Sequence, residues 1–223
     1  MSSRGSPTYL TARHLTSILQ PLVVNTPHHI SNSTQFVELT QSLTLQPTDI
    51  MVSFDVVSLF TNVPTNEACH LAKQRLDNDT SLPDCTALSS DKITDLIQPC
   101  VSSNYFKSQD QFFKQMTETS MGSPISPVLA NIFMEEFETF SLITADHKPS
   151  LWLRYVNDTF VIWTHSQDLP QGFLHDLNKQ HPSIKFTMEQ EQDGQLSFLD
   201  VHLTRNLDGS LQHRVHRKPT HTD

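Results

Sequence analysis

Leu-Trp-Leu-Arg-Tyr-Val-Asn-Asp-Thr-Phe-Val-Ile-Trp, residues 151–163, sets two β-prone runs on either side of a polar pair. This order predicts a β-hairpin, with 151–156 as one arm, Asn157 and Asp158 as the turn, and 159–163 as the other arm. Apolar side chains stand on both alternating faces of each arm, so both arms are expected to be buried. The turn then carries the only acidic group of the segment, Asp158.

Working outward, Ile-Met-Val-Ser-Phe-Asp-Val-Val inside 49–57 predicts a second buried strand, and it carries Asp55. Downstream, Asp193-Gly194 and Asp208-Gly209 punctuate strands expected at 184–191, 196–204 and 210–217, and a helix is expected near 169–180. Two amphipathic helices are expected in the first fifty residues. One carries Leu15, Ile18, Leu19 and Leu22, and the other carries Phe36, Leu39 and Leu43 after an Asn-Ser-Thr cap region. A helix should open at Pro64-Thr65-Asn66-Glu67, with Thr65 as N-cap, and run to Leu76. A polar loop follows over 77–89, then a helix over 90–103 that Pro99 should kink or end. A hairpin is expected around Gln109-Asp110, and a helix over 126–140. The order is mixed α+β with an antiparallel sheet.

A chain of 223 residues suits one domain. Its 15 Lys and Arg against 24 Asp and Glu leave a net charge of −9, which argues against a basic nucleic-acid platform. The basic exception is Arg205, Arg214, Arg217 and Lys218 with His213 and His216, which reads equally well as a solvated hairpin face. His213, His216 and His221 match no common zinc spacing. Met134-Glu135-Glu136-Phe137-Glu138 reads as the exposed and buried faces of one helix. Cys69, Cys85 and Cys100 form no Cys-x-x-Cys pair and suit reduced thiols in an intracellular protein, nuclear or cytoplasmic rather than secreted. No apolar run approaches the ~18 residues that span a bilayer; Gln20 and Pro21 break the one candidate, and the start lacks a signal-peptide pattern.

A lone aspartate at a strand end is usually a cap or turn residue. Asp55 gains weight from its company, because phosphoryl transfer needs carboxylates on rigid strands to cage two divalent ions roughly 3.5–4 Å apart. Tyr155-Val156-Asn157-Asp158 resembles the Tyr-x-Asp-Asp hairpin of reverse transcriptases. Phe-Asp-Val-Val-Ser-Leu-Phe-Thr-Asn-Val-Pro (54–64) resembles their first catalytic motif in the form found in Penelope-like retroelements. Met-Gly-Ser-Pro-Ile-Ser-Pro-Val-Leu-Ala-Asn-Ile-Phe-Met (121–134) resembles that family's second motif, a tight turn feeding a helix. Ile-Lys-Phe-Thr-Met-Glu (184–189), Phe-Leu-Asp-Val (198–201) and His-Arg-Lys-Pro-Thr-His-Thr-Asp (216–223) are similar to the segments that close the palm.

The resemblance implies an α+β reverse-transcriptase palm, an antiparallel sheet with helices packed on one face, with partial fingers and no thumb. The whole of 1–223 would be one partial domain, with 1–48 as a helical fingers or entry segment and 49–223 as palm. It also implies catalytic roles for Asp55, Asn157 and Asp158, metal ligation by Asp55 and Asp158, and substrate contacts from Phe60, Gly122, Ser123, Pro124 and Tyr155. Phe60 would exclude a ribose 2′-hydroxyl, and Gly122 would let the backbone approach the nucleotide. Implied partners are an RNA template, a DNA primer and a dNTP; the implied cofactor is Mg2+ or Mn2+, held weakly or not at all.

Three departures bear on activity. Asn157 stands where the pattern has the aspartate nearest the metals, and an amide brings no charge. One charge pair at ~4 Å is worth about 4 kcal/mol at an effective dielectric of ~20, and about 1.36 kcal/mol is tenfold in rate. Glu118 stands where the family usually has glycine. The chain also starts after the fingers' basic nucleotide-binding residues and stops before a thumb, so a truncation at Asp223 is expected. The expected function is an RNA-directed DNA polymerase domain of a retroelement with an impaired centre. The alternative is a non-catalytic remnant that binds nucleic acid or protein.

Overall fold

The computed structural model describes residues 7–23, 26–102, 105–108, 111–114, 123–165 and 169–216. In chain order the elements are α1 (Tyr9–Leu19), α2 (Ser33–Thr40), β1 (Ile50–Val56), α3 (Leu59–Asn62), α4 (Thr65–Asn78), α5 (Leu82–Cys85) and α6 (Ser90–Ser102). There follow β2 (Tyr105–Ser108), β3 (Gln111–Lys114), α7 (Ser126–Thr144), β4 (Leu151–Tyr155), β5 (Asp158–Trp163) and α8 (Leu169–Gln180). The last four are β6 (Phe186–Gln190), β7 (Gln195–Phe198), β8 (Val201–Arg205) and β9 (Leu211–Val215). They fall into two compact units, Met1–Thr26 with Ser58–Phe140, and Pro27–Val57 with Ser141–Asp223.

The first unit is mostly helical. Leu15, Ile18 and Leu19 of α1 are buried, as are Ala68, Cys69, Ala72 and Leu76 of α4 and Ile93, Ile97 and Cys100 of α6. These stripes recur at helical spacing because each helix buries one face. Helix α4 begins at Thr65 itself, with Pro64, which has no side-chain acceptor, in the N-cap position. The polar loop expected over 77–89 contains the short helix α5. Helix α6 continues three residues beyond Pro99, which costs the Asp95 carbonyl its partner but not the helix. Strands β2 and β3 pair with Ser108 opposite Gln111, and the Gln109-Asp110 turn between them lies outside the described residues. On α7 the buried side includes Glu135 and Glu138 while Glu136 is exposed. Glu135 is held by Arg75.

All three cysteines are free thiols. Burial pushes Cys69 up to about 11 and raises Cys100, whereas Cys85 is exposed. Since the thiolate is the reactive form, native protein treated with a limiting alkylating reagent at pH 8 is expected to be labelled at Cys85 first. Peptide mapping that finds Cys69 labelled as fast would contradict this burial.

The second unit holds a four-stranded antiparallel sheet in the order β4-β5-β1-β6 and a three-stranded antiparallel sheet, β7-β8-β9. Phe36 of α2 packs edge-on to Phe160 and against Phe198, within a core that includes Met51, Leu153, Ile162 and Leu203. On the other face of the four-stranded sheet Phe54, Trp152 and Trp163 meet Phe173 of α8. Burial on both faces is why β4 and β5 read as continuous apolar runs. The outer edge of β4 is covered by main chain from the segment before α2: Arg154 N–H donates to the His28 carbonyl at 2.6 Å and Ile30 N–H donates to the Arg154 carbonyl at 2.9 Å.

Asn32 caps α2, its Oδ1 accepting from the Gln35 N–H at 2.9 Å. The helix ends at Thr40, so Leu39 is largely exposed and Leu43 lies beyond it. The strand expected over 196–204 is instead a hairpin, β7 and β8, turning at Leu199-Asp200 with Leu199 at φ 55°. Gly209 has φ 82°, and a Cβ there would sit 2.3 Å from the Leu45 carbonyl oxygen, which accepts no substitute for glycine. Among the described residues the basic cluster does not form one surface. Arg205 pairs with Glu191 at 2.6 Å and also donates to the Asp49 carbonyl. His213 Nε2 lies 2.8 Å from the buried Thr40 hydroxyl, Arg214 is exposed, and Arg217 and Lys218 lie outside the described residues. Among the described residues no helix is long and apolar enough to cross a membrane.

Candidate active site

The register of the four-stranded sheet brings Tyr155, Asp158, Asp55 and Thr187 into one row. Tyr155 pairs with Asp158, Asp158 with Asp55, and Asp55 with Thr187. Paired residues on adjacent antiparallel strands point to the same face. Asp55 and Asp158 therefore stand side by side, each half-buried.

The hairpin differs by one residue from its sequence reading. The turn is Val156-Asn157, and Asp158 is the first residue of β5. Pairing of β5 with β1 holds Asp158 in the sheet, and the reversal falls on Val156 at φ 55°. A β-branched residue there is strained. The Asn157 carbonyl accepts from the Val56 N–H at 3.0 Å. Its side-chain Nδ2 donates to Asp55 Oδ1 at 2.5 Å. The opposite orientation of this amide would set two acceptor oxygens against each other, so the nitrogen faces Asp55.

These residues border a groove of about 740 Å³ lined by Ser53, Asp55, Asp158, Thr187, Glu189, Asp200 and His216, among others. Its four carboxylates give it a field that attracts cations. Thr187, Glu189 and Asp200 are not site candidates from the sequence, and His216 enters there only in the basic cluster and in a histidine set that matches no common zinc spacing. Glu189 and Asp200 end or interrupt motifs already quoted, and Glu189 lies opposite Ser53, two residues from Asp55 on β1. The signal within the sequence is that Thr187 and Glu189 stand two apart on β6 and so share a face; their place beside β1 is set by the pairing.

Of the other expected contacts, Phe60 is half-buried in α3, Ser123 is buried just before α7, where its carbonyl accepts from the Ser126 N–H, and Pro124 is half-buried. All three belong to the first unit. Gly122 and Glu118 lie outside the described residues.

The donor set has the right chemistry for a hard divalent ion, namely carboxylate oxygens on rigid strands. It does not amount to a paired-ion cage: one Asp55 oxygen is occupied by the Asn157 amide, and Asn157 offers a donor where a cage needs an acceptor. Among the described residues no group of three or more His, Cys, Asp or Glu is arranged to hold a metal.

Residues 7–191 match the family described as reverse transcriptase (RNA-dependent DNA polymerase), and the chain belongs to that family. Its members conventionally use divalent metal ions. Solved structures share the fold. Apo telomerase from Candida tropicalis, truncated at its C-terminal domain, superposes with a TM-score of 0.65 at 16% identity, over 96% of this chain and 46% of that one. Telomerase from Candida albicans in complex with a fragment of telomeric RNA gives 0.64 at 13%, over 94% and 38%. The RNA polymerase complex of a double-stranded RNA virus gives 0.61 at 12%, over 93% and 20%. The chain spans less than half the length of each. No protein of curated function matches it. The fold is a reverse-transcriptase palm.

Proposed function

We propose that 1–223 is one domain of a Penelope-like retroelement, with 1–48 as entry segment and 49–223 as palm, whose ancestral reaction adds a dNTP to a primer 3′-hydroxyl on an RNA template. In this reading Asp55 and Asp158 are the surviving catalytic carboxylates and would hold a divalent ion, which when bound supplies charge neutralisation at the phosphates. Tyr155, Phe60, Gly122, Ser123 and Pro124 contact primer or nucleotide. That a telomerase of the same fold is seen with RNA supports an RNA template. The same reading has the protein act inside the cell, in keeping with its three free thiols.

Nucleotide addition is impaired in this chain. The observation that carries this is the 2.5 Å bond from Asn157 Nδ2 to Asp55, which occupies one oxygen of that carboxylate with an uncharged donor where a metal would bind. The same bond favours the second reading, a palm retained for binding rather than catalysis. Primer extension decides. With magnesium, a primed RNA template and all four dNTPs, the purified chain should incorporate nothing above background. Robust incorporation abolished by Asp55→Ala would overturn the impairment.

A further inference from the structure

Arg154 is fully buried beside the site, and the roles proposed above do not use it. Its cross-strand partner is Thr159, and the alternation of β4 sets it with Trp152 on the sheet face opposite Tyr155 and Asp158. From there its Nη1 donates to the carbonyl oxygen of Val156 at 3.1 Å. Both backbone groups of Arg154 are tied to the segment at His28 and Ile30. The guanidinium is thus fixed at its base and bonded at its tip to the turn.

That turn needs holding. Val156 sits at φ 55°, which its branched Cβ resists, and the next residue is the one whose amide reaches Asp55. We propose that Arg154 is a positioning residue: it clamps the Val156 carbonyl and so holds the strained turn in the one geometry that seats residue 157 on Asp55. Burying a guanidinium is costly, and its fork of donors reaches a carbonyl from beneath the sheet in a way a lysine ammonium would not reproduce. The proposal rests on the reading that residues 55 and 157 descend from a ligand set. Its test uses no metal, so it can fail while that reading stands.

The test follows the Asn157 side-chain amide in nitrogen-15 spectra of the full chain without divalent ions, with Asn157→Ser identifying its signals. In the parent protein these signals should be resolved from those of exposed amides. In Arg154→Met they should collapse to exposed-amide positions and exchange with solvent about tenfold faster or more, while the backbone amides of β7–β9 stay native. Val156→Gly accepts a positive φ without strain. The double variant Arg154→Met, Val156→Gly should therefore fold and recover the Asn157 signals. Unchanged signals in folded Arg154→Met would overturn the proposal. If that variant does not fold, the double variant decides: remaining unfolded, or folding without the bonded Asn157 amide, also overturns it.

Discussion

Asn157→Asp is expected to lower the melting temperature by about 5–10 °C without divalent ions and to make it respond to magnesium. The parent amide donates to Asp55, and a hydrogen bond to a charged group is worth about 1.5–3 kcal/mol. An aspartate removes that donor and sets a third carboxylate beside Asp55 and Asp158, where like charges raise each other's cost of ionisation. Together these should cost roughly 2–3 kcal/mol. Magnesium at a hundred times its Kd would return about 2.7 kcal/mol, since it binds only the folded site. In the parent chain the occupied Asp55 oxygen should leave melting nearly indifferent to magnesium. Both tryptophans, Trp152 and Trp163, lie in the same unit as the site, so tryptophan fluorescence reports its unfolding. Equal responses to millimolar magnesium in the two proteins, at matched ionic strength, would remove the metal-site argument.

The elements that were legible in the sequence are those whose burial leaves a pattern. The apolar runs around Asp55 and Asp158 predicted strands, and the register brings the two aspartates opposite one another. What was not legible came from tertiary pairing overriding local preference. Asn157-Asp158 has turn chemistry, yet pairing with β1 draws Asp158 into β5 and leaves the reversal to Val156, which no propensity would choose. Leu199-Asp200 hides a hairpin because its apolar flanks read as one strand and its positive φ falls on Leu199 and not on a turn-forming residue. Arg205 reads from the sequence as part of a basic cluster or, equally, of a solvated hairpin face, and the fold brings it instead to Glu191 and the Asp49 carbonyl. Sequence spacing carries no information on such long-range partners.

The same limit governs the buried charge of the first unit, where the largest loss of stability is expected. Glu135 is 4% exposed and Arg75 25%, and Arg75 Nη1 meets Glu135 Oε2 at 2.5 Å. Arg75 also donates to the carbonyls of Leu22 and Ile132, so one guanidinium joins α4, α7 and the turn after α1. Arg75→Ala would leave the Glu135 carboxylate buried without that cation, which typically costs about 3–5 kcal/mol. For a chain of this size that is a fall of roughly 6–20 °C in the helical transition, followed by far-ultraviolet circular dichroism. The pair itself need not be strongly stabilising, because removing both charges from water was costly in the first place. Arg75→Met combined with Glu135→Leu should therefore recover most of what Arg75→Ala loses, since it removes both buried charges and fills similar volume. If Arg75→Ala melts within about 1 kcal/mol of the parent, the pair behaves as a surface contact and Glu135 is better solvated than its burial indicates.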